Sequence, residues 1–203
     1  MARRSRKRIY PLNKLVLLIV PPLLGGCLAL PGSEGNTPSR FALQGPDQSC
    51  VAGSRALAVS IGQVAAGLNN DRIARIHEAT GEFSYLRDVR WVDSAGPMME
   101  QRLASDMECR GFVVHTGHRT RAGQSELLCE LRALELQETS DGNQAVVTLS
   151  CTFLGDNGAG QALVESAAEP LSRWSATAAV QALGAAYAAV FENLYAAIET
   201  QAD

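Results

Sequence analysis

Residues 126–153 read ELLCELRALELQETSDGNQAVVTLSCTF. At their centre stands Ser140-Asp141-Gly142-Asn143, flanked by two runs rich in apolar and β-branched residues. Asp-Gly suits a tight reversal because both central residues of such a turn take positive φ, which glycine and Asx residues tolerate best. The stretch therefore predicts an antiparallel hairpin with arms 126–138 and 144–153. Alternation with period two assigns Leu127, Cys129, Leu131, Ala133 and Glu135 to one side of the first arm, and Val147, Leu149 and Cys151 to one side of the second.

Working toward the C-terminus, Asp156-Asn157-Gly158 marks another turn and residues 161–168 a further strand. Ser172 or Ser175 then starts a long helix. Its residues Val180, Leu183, Tyr187, Val190, Phe191, Leu194 and Ile198 follow a 3.6-residue period and form one apolar stripe. A single stripe predicts a helix lying on a sheet. Burying it contributes on the order of 10 kcal/mol before conformational entropy is subtracted.

Working toward the N-terminus, residues 112–115 and 56–61 read as short strands, and Ile73 and Ile76 as a strand after the Asn69-Asn70-Asp71 turn. Residues 83–91 alternate, with Phe83, Tyr85, Arg87, Val89 and Trp91 sharing one parity. Ser94 caps a helix running to about Cys109, with Pro97 in its first turn and Met99, Leu103 and Met107 on its apolar side. Arg110-Gly111 ends it. The fold class is α+β: a mixed, largely antiparallel sheet with two main helices packed on it, the second long and C-terminal.

The first residues belong to something other than the fold. Six cations and no acid precede the apolar run 15–20, a Pro21-Pro22 break and Leu24-Gly25-Gly26-Cys27. That is the basic region, short apolar region and lipobox of a lipoprotein signal. Residues 15–30 are too short, and too broken by proline, for the ~20 residues a spanning helix needs. Residues 1–26 are thus a signal peptide, Cys27 the lipidated residue, 27–52 a flexible tether rich in Pro, Gly and Ser, and 53–203 the folded domain.

Of 18 cations, six fall in the leader, leaving 12 against 21 acids. An acidic mature chain argues against nucleic acid as a partner. Both lysines lie in the leader, which excludes Schiff-base or Ser–Lys chemistry in the mature chain. Cys50, Cys109, Cys129 and Cys151 remain after Cys27, an even count in an exported protein. Four cysteines allow three connectivities, and the count does not choose among them. The hairpin brings Cys129 and Cys151 near each other if the arms pair without a slip, because a one-residue shift would put them on opposite faces.

Sites for chemistry are sparse. No nucleophile elbow, zinc-binding helix motif or phosphate loop occurs. His115 and His118 flank Gly117 in a turn and lack a third metal ligand. Glu126, Glu130, Glu135 and Glu138 read as solvated edge charges, and Met98, Met99 and Met107 as core.

The segment Leu68-Asn69-Asn70-Asp71-Arg72-Ile73, the aromatic strand from Phe83 through Tyr85 to Trp91, Gly160-Gln161-Ala162-Leu163-Val164 and the Ala-rich helix 176–198 occur in an order that resembles the ABC-type transport auxiliary lipoproteins, the PqiC-like family that accompanies MCE-type lipid transporters. The resemblance spans residues 55–200. The four mature cysteines and the polar run 77–82 depart from that pattern. The resemblance implies a non-enzymatic docking subunit, with no cofactor, whose partners are an MCE-domain protein and an ABC permease and ATPase. The lipobox implies an acyl (palmitate-type) anchor at Cys27, and Leu28-Ala29 after it, with no aspartate as an inner-membrane retention signal, point to the outer membrane, facing the periplasm. Tyr85, Arg87, Arg90 and Trp91 are the candidate partner-binding residues, as an aromatic and arginine cluster suits an interface anchor. The alternatives are a periplasmic carrier holding a phospholipid chain, which needs an apolar cavity, and a lipid-anchored hydrolase. Replacing Cys27 by alanine is expected to abolish incorporation of an alkyne-labelled fatty acid that the wild type takes up; equal labelling of both chains would refute the lipobox reading.

Overall fold

The structure is a computed structural model that describes residues 37–46, 49–118 and 123–202. The leader, Cys27 and the rest of the chain to residue 36 lie outside the described residues. The elements run β1 (Ser39–Phe41), β2 (Val51–Val64), β3 (Arg72–His77), β4 (Glu82–Trp91), α1 (Ala95–Cys109), β5 (Arg110–Thr116), β6 (Ser125–Thr139), β7 (Gly142–Leu154), β8 (Gly160–Pro170) and α2 (Ala176–Ala202). All eight strands join one mixed sheet with two helices, the second long and C-terminal. The sheet is the α+β arrangement read from the sequence.

The hairpin is its longest seam. β6 and β7 pair antiparallel from Glu126↔Leu154 to Thr139↔Gly142, and β8 extends the sheet antiparallel to β7. The other edge of β6 is shared. Its first half pairs parallel with β2 and its second half parallel with β3. The transfer coincides with a bulge, because Leu131 pairs with Leu149 whereas Ala133 pairs with Thr148. The extra residue, Arg132, reverses the parity of everything after it. Leu127, Cys129 and Leu131 are buried as expected, but the core residues beyond them are Leu134 and Leu136 rather than Ala133 and Glu135. Glu135 faces the opposite side of the sheet. β6 is also central rather than an edge, so Glu126 and Glu135, 8% and 7% exposed, are not solvated edge charges.

α1 packs on β2 and β5, and α2 on β7 and β8. Met98, Met99 and Met107 of α1 are buried, as are all seven stripe residues of α2. Ser175 starts α2, its Oγ accepting from the Ala178 N–H at 3.1 Å. Ser94 occupies the cap position of α1 without a side-chain capping bond. The two helices meet at a polar contact in the core. Tyr187 Oη donates to Asp106 Oδ2 at 2.8 Å, and Arg102 Nε donates to the same oxygen at 2.9 Å. Burial and the neighbouring Asp106 carboxylate push the Tyr187 hydroxyl well above its ordinary pKa, so it stays a donor.

Among the described residues two disulfides are present. Cys129 and Cys151 are direct cross-strand partners, and Cys50 joins Cys109 at the end of α1. The segment read as tether begins to pack well before residue 53. β1 pairs with β4, Leu43 is 4% exposed, and the backbone at Gln44 crosses α2 so closely that a Cβ at Gly184 would sit 3.2 Å from its oxygen. A Cβ at Gly45 would overlap the Arg102 guanidinium. Composition alone suggested flexibility, but Phe41 and Leu43 supply enough apolar surface to hold this stretch down.

Tyr187→Phe removes one of the donors to a buried carboxylate. It is expected to lower unfolding stability by about 1–3 kcal/mol, read by denaturant unfolding.

Candidate functional site

The aromatic strand β4 does not run straight. Ala74 pairs with Tyr85 but Arg72 pairs with Arg90, so β4 carries extra residues between these pairs. Asp88 takes a positive φ of 54° in that interval, a conformation Asp tolerates better than most side chains. The break overturns the shared parity of Phe83, Tyr85, Arg87, Val89 and Trp91. Val89 and Trp91 enter the core, at 8% and 0% exposure, while Tyr85 is half-buried and packs against the margin of the core, and Arg90 is half-buried.

The site is built around the half-buried Tyr85. Its hydroxyl donates to the Gly67 carbonyl at 2.9 Å, and Asn70 Nδ2 donates to Gly67 O at 2.8 Å and to Tyr85 Oη at 3.2 Å. Phe83 meets the Tyr85 ring edge-on at 5.1 Å. The Arg72 guanidinium lies 4.1 Å over the Tyr85 ring centre, within cation–π range. Arg90 stands beside Arg72 in the register, and Arg87 is exposed. Of the four candidate residues, Tyr85, Arg87 and Arg90 therefore reach the surface. Trp91 does not: it is a core residue, which removes it as a surface anchor and makes it the floor on which the end of β4 rests. Arg72 was visible in the sequence as part of Leu68–Ile73 but carried no signal of its place, because that depends on which residue of β4 it faces.

A second feature lies at the other end of the sheet. An open groove of about 790 Å³ is lined by Arg55, Phe112, Phe153, Asp156, Asn157 and Ile198 among others. Arg55 stacks 4.2 Å over Phe112 and pairs with Glu199 at 2.7 Å, so its charge is already engaged. His118 Nδ1 lies 3.2 Å from Glu126 Oε1. Among the described residues no group of three His, Cys, Asp or Glu side chains could hold a metal ion, and no helix is long and apolar enough to cross a membrane.

A family model described as the ABC-type transport auxiliary lipoprotein component matches residues 41–194. Among solved structures, an uncharacterized protein aligns with a TM-score of 0.65 at 15% identity, covering 80% of this chain and 99% of its own. Protein XCC0632 from Xanthomonas campestris, a DUF330 protein, aligns with a TM-score of 0.60 at 19% identity, covering 78% of this chain and 90% of its own. At these identities the likeness is one of fold. A search of curated proteins returns no match.

Glu135 supplies a pH test of the outer face. Burial raises its carboxyl above the ordinary value, against a hydrogen bond from Gln137 Nε2 at 3.0 Å that pulls it down. A raised carboxyl means the folded chain holds its proton to higher pH than the unfolded chain. This residue therefore costs stability as pH rises from its unfolded value through its folded one. Glu135→Gln is expected to raise the melting temperature at pH 8 relative to wild type and to leave it nearly unchanged at pH 3, where both states are protonated.

Proposed function

The chain belongs to the ABC-type transport auxiliary lipoprotein component family, and from that premise we propose that it is a non-enzymatic docking subunit of an MCE-type lipid transport system. Cys27 carries the lipid that holds it at the outer membrane, and the folded domain binds the MCE-domain protein or the ABC permease it serves. Three acyl chains on such a cysteine would anchor it stably, where one is marginal. The observation that carries the reading is the family match across the folded domain, from β1 into α2. The surface we assign to the partner is that of β4, with Tyr85, Arg87 and Arg90. Tyrosine and arginine dominate the energetics of interfaces when they stand at the centre of a patch.

The carrier alternative asks for an enclosed apolar cavity for an acyl chain. The groove beside Arg55 is open and mixes Asp156 and Asn157 with Phe112 and Ile198, which favours docking over carriage. The hydrolase alternative finds no support in the arrangement of the named side chains.

Arg90→Ala is expected to weaken capture of a purified MCE-domain partner by about 2 kcal/mol or more, with thermal stability little changed. Trp91→Ala is expected to do the reverse, costing about 3–5 kcal/mol of stability because it empties a core site. Full capture by a folded Arg90→Ala chain would move the contact elsewhere. Lipid or peptide turnover by a wild-type chain that captures no transport component would overturn the docking reading.

A further inference from the structure

The register at one corner of the sheet sets three arginines abreast. On β1, Arg40 pairs with Arg90 of β4, and Arg90 pairs with Arg72 of β3. Directly opposed residues have Cβ atoms only ~4.5–5.5 Å apart, and like charges so placed repel. Some of this is offset within the chain. Arg40 lies 3.5 Å from Asp71 and donates to the carbonyls of Trp91 and Val92 at 3.2 and 3.5 Å. Arg72 spreads over the face of Tyr85. The remainder is not offset. Arg72 Nε and Arg90 Nη1 are both buried and both without a hydrogen-bond partner. Both atoms are sealed from solvent as the side chains stand, so an acceptor reaches them only when a guanidinium shifts; its binding would then remove the desolvation penalty they carry.

Nearby groups do not supply that acceptor. The Tyr85 hydroxyl is turned to Gly67. Asp71 lies against Arg40 and is a hydrogen-bond partner of neither Arg72 Nε nor Arg90 Nη1. Glu135, whose β3 partner is Ala74, accepts from Gln137 and is likewise a partner of neither guanidinium atom. The chemistry of the two guanidinium groups suits an anion with several oxygens. A guanidinium presents a planar fork of parallel N–H groups that matches carboxylate or phosphate. Two forks side by side ask for more acceptor oxygens than one carboxylate has, and a tetrahedral phosphate provides them.

We propose that Arg72 and Arg90, with Arg40 beside them, form a binding site for a phosphate group, free or as the phosphodiester of an anionic phospholipid headgroup. The site rests on the docking reading only in that both place Arg90 on a functional surface, and its test involves no transport partner. It is local rather than diffuse. The acidic balance of the mature chain repels anions at a distance, so binding depends on the paired forks more than on overall charge.

The test uses the full mature chain in neutral detergent and follows its unfolding temperature. One arm titrates inorganic phosphate against sodium chloride at matched ionic strength. The other titrates phosphatidylglycerol into the micelles, with phosphatidylcholine as the zwitterionic control. Wild type is expected to be stabilised in at least one arm, since a ligand bound only by the folded state raises stability with concentration, and the responding arm identifies the source. The double variant Arg72→Gln/Arg90→Gln is expected to need at least tenfold more ligand for the same shift. Arg132→Gln, on the bulge of β6, is expected to respond as wild type does. If the double variant does not fold, Arg90→Lys serves instead: it keeps the charge, loses the fork and is expected to weaken the response severalfold. Absence of a shift in both arms, or an equal shift in the fork-deficient variants, overturns the site.

Discussion

The long strand β6 has to satisfy three neighbours at once, and its bulge is how it does so. One edge runs the full length of β7. The other serves β2 up to Leu131 and β3 from Glu135 onward. β2 and β3 therefore follow one another along the same edge in the same direction, with the connection 65–71 between them. Parallel neighbours ordinarily need a helical crossover of a dozen or more residues. Here the stagger removes that need for β2 and β3, whereas β5 and β6 pair with opposite edges of β2 and overlap at Leu57–Val59. Gly117 N donates to Val59 O at 2.8 Å and Ser125 pairs with Leu57. Without the parity change at Arg132, Leu134 and Leu136 would face away from the helices and Glu135 would enter the core.

The helices complete this frame from one side. Seven apolar side chains of α2 and the methionines of α1 fill the interior, while the Tyr187–Asp106–Arg102 contact fixes how the two helices sit against each other. Polar groups buried so completely contribute more to specificity than to net stability, since any slip of one helix past the other strands a carboxylate. α1 also reaches the sheet with a polar group: the Glu100 carboxylate accepts from Ile61 N at 2.9 Å, next to the register shift in β2 where the ladder cannot supply an acceptor.

What the sequence made legible was local. The α2 stripe, the Asp-Gly reversal and the Cys129–Cys151 juxtaposition depend on spacings within one element or one hairpin, and periodicity reports those directly. What it concealed was relational. The bulge at Arg132, the break in β4 at Asp88 and the parallel seams are set by strands far apart in the chain. Each changed the assignment of a face: Glu135 left the core side, and Tyr85 separated from Trp91. The candidate site was half legible for the same reason. Tyr85 and Arg90 could be picked as residue types that suit an interface, but the alignment of Arg40, Arg90 and Arg72 exists only once three strands are in register.

The stretch from β1 to Cys50 gives the domain a mechanical character. A pull along the chain toward its N-terminus loads β1 first, and β1 is held by three residues of parallel pairing, the buried Leu43 and the close crossing over α2. If that hold gives way, peeling proceeds only as far as Cys50, because its bond to Cys109 passes the load to α1. The segment is thus a short length of stowed cable with a fixed stop. Tension could lengthen the reach of the domain from its anchor by about 3.3–3.6 Å for each released residue, while β2 and the core behind it stay intact.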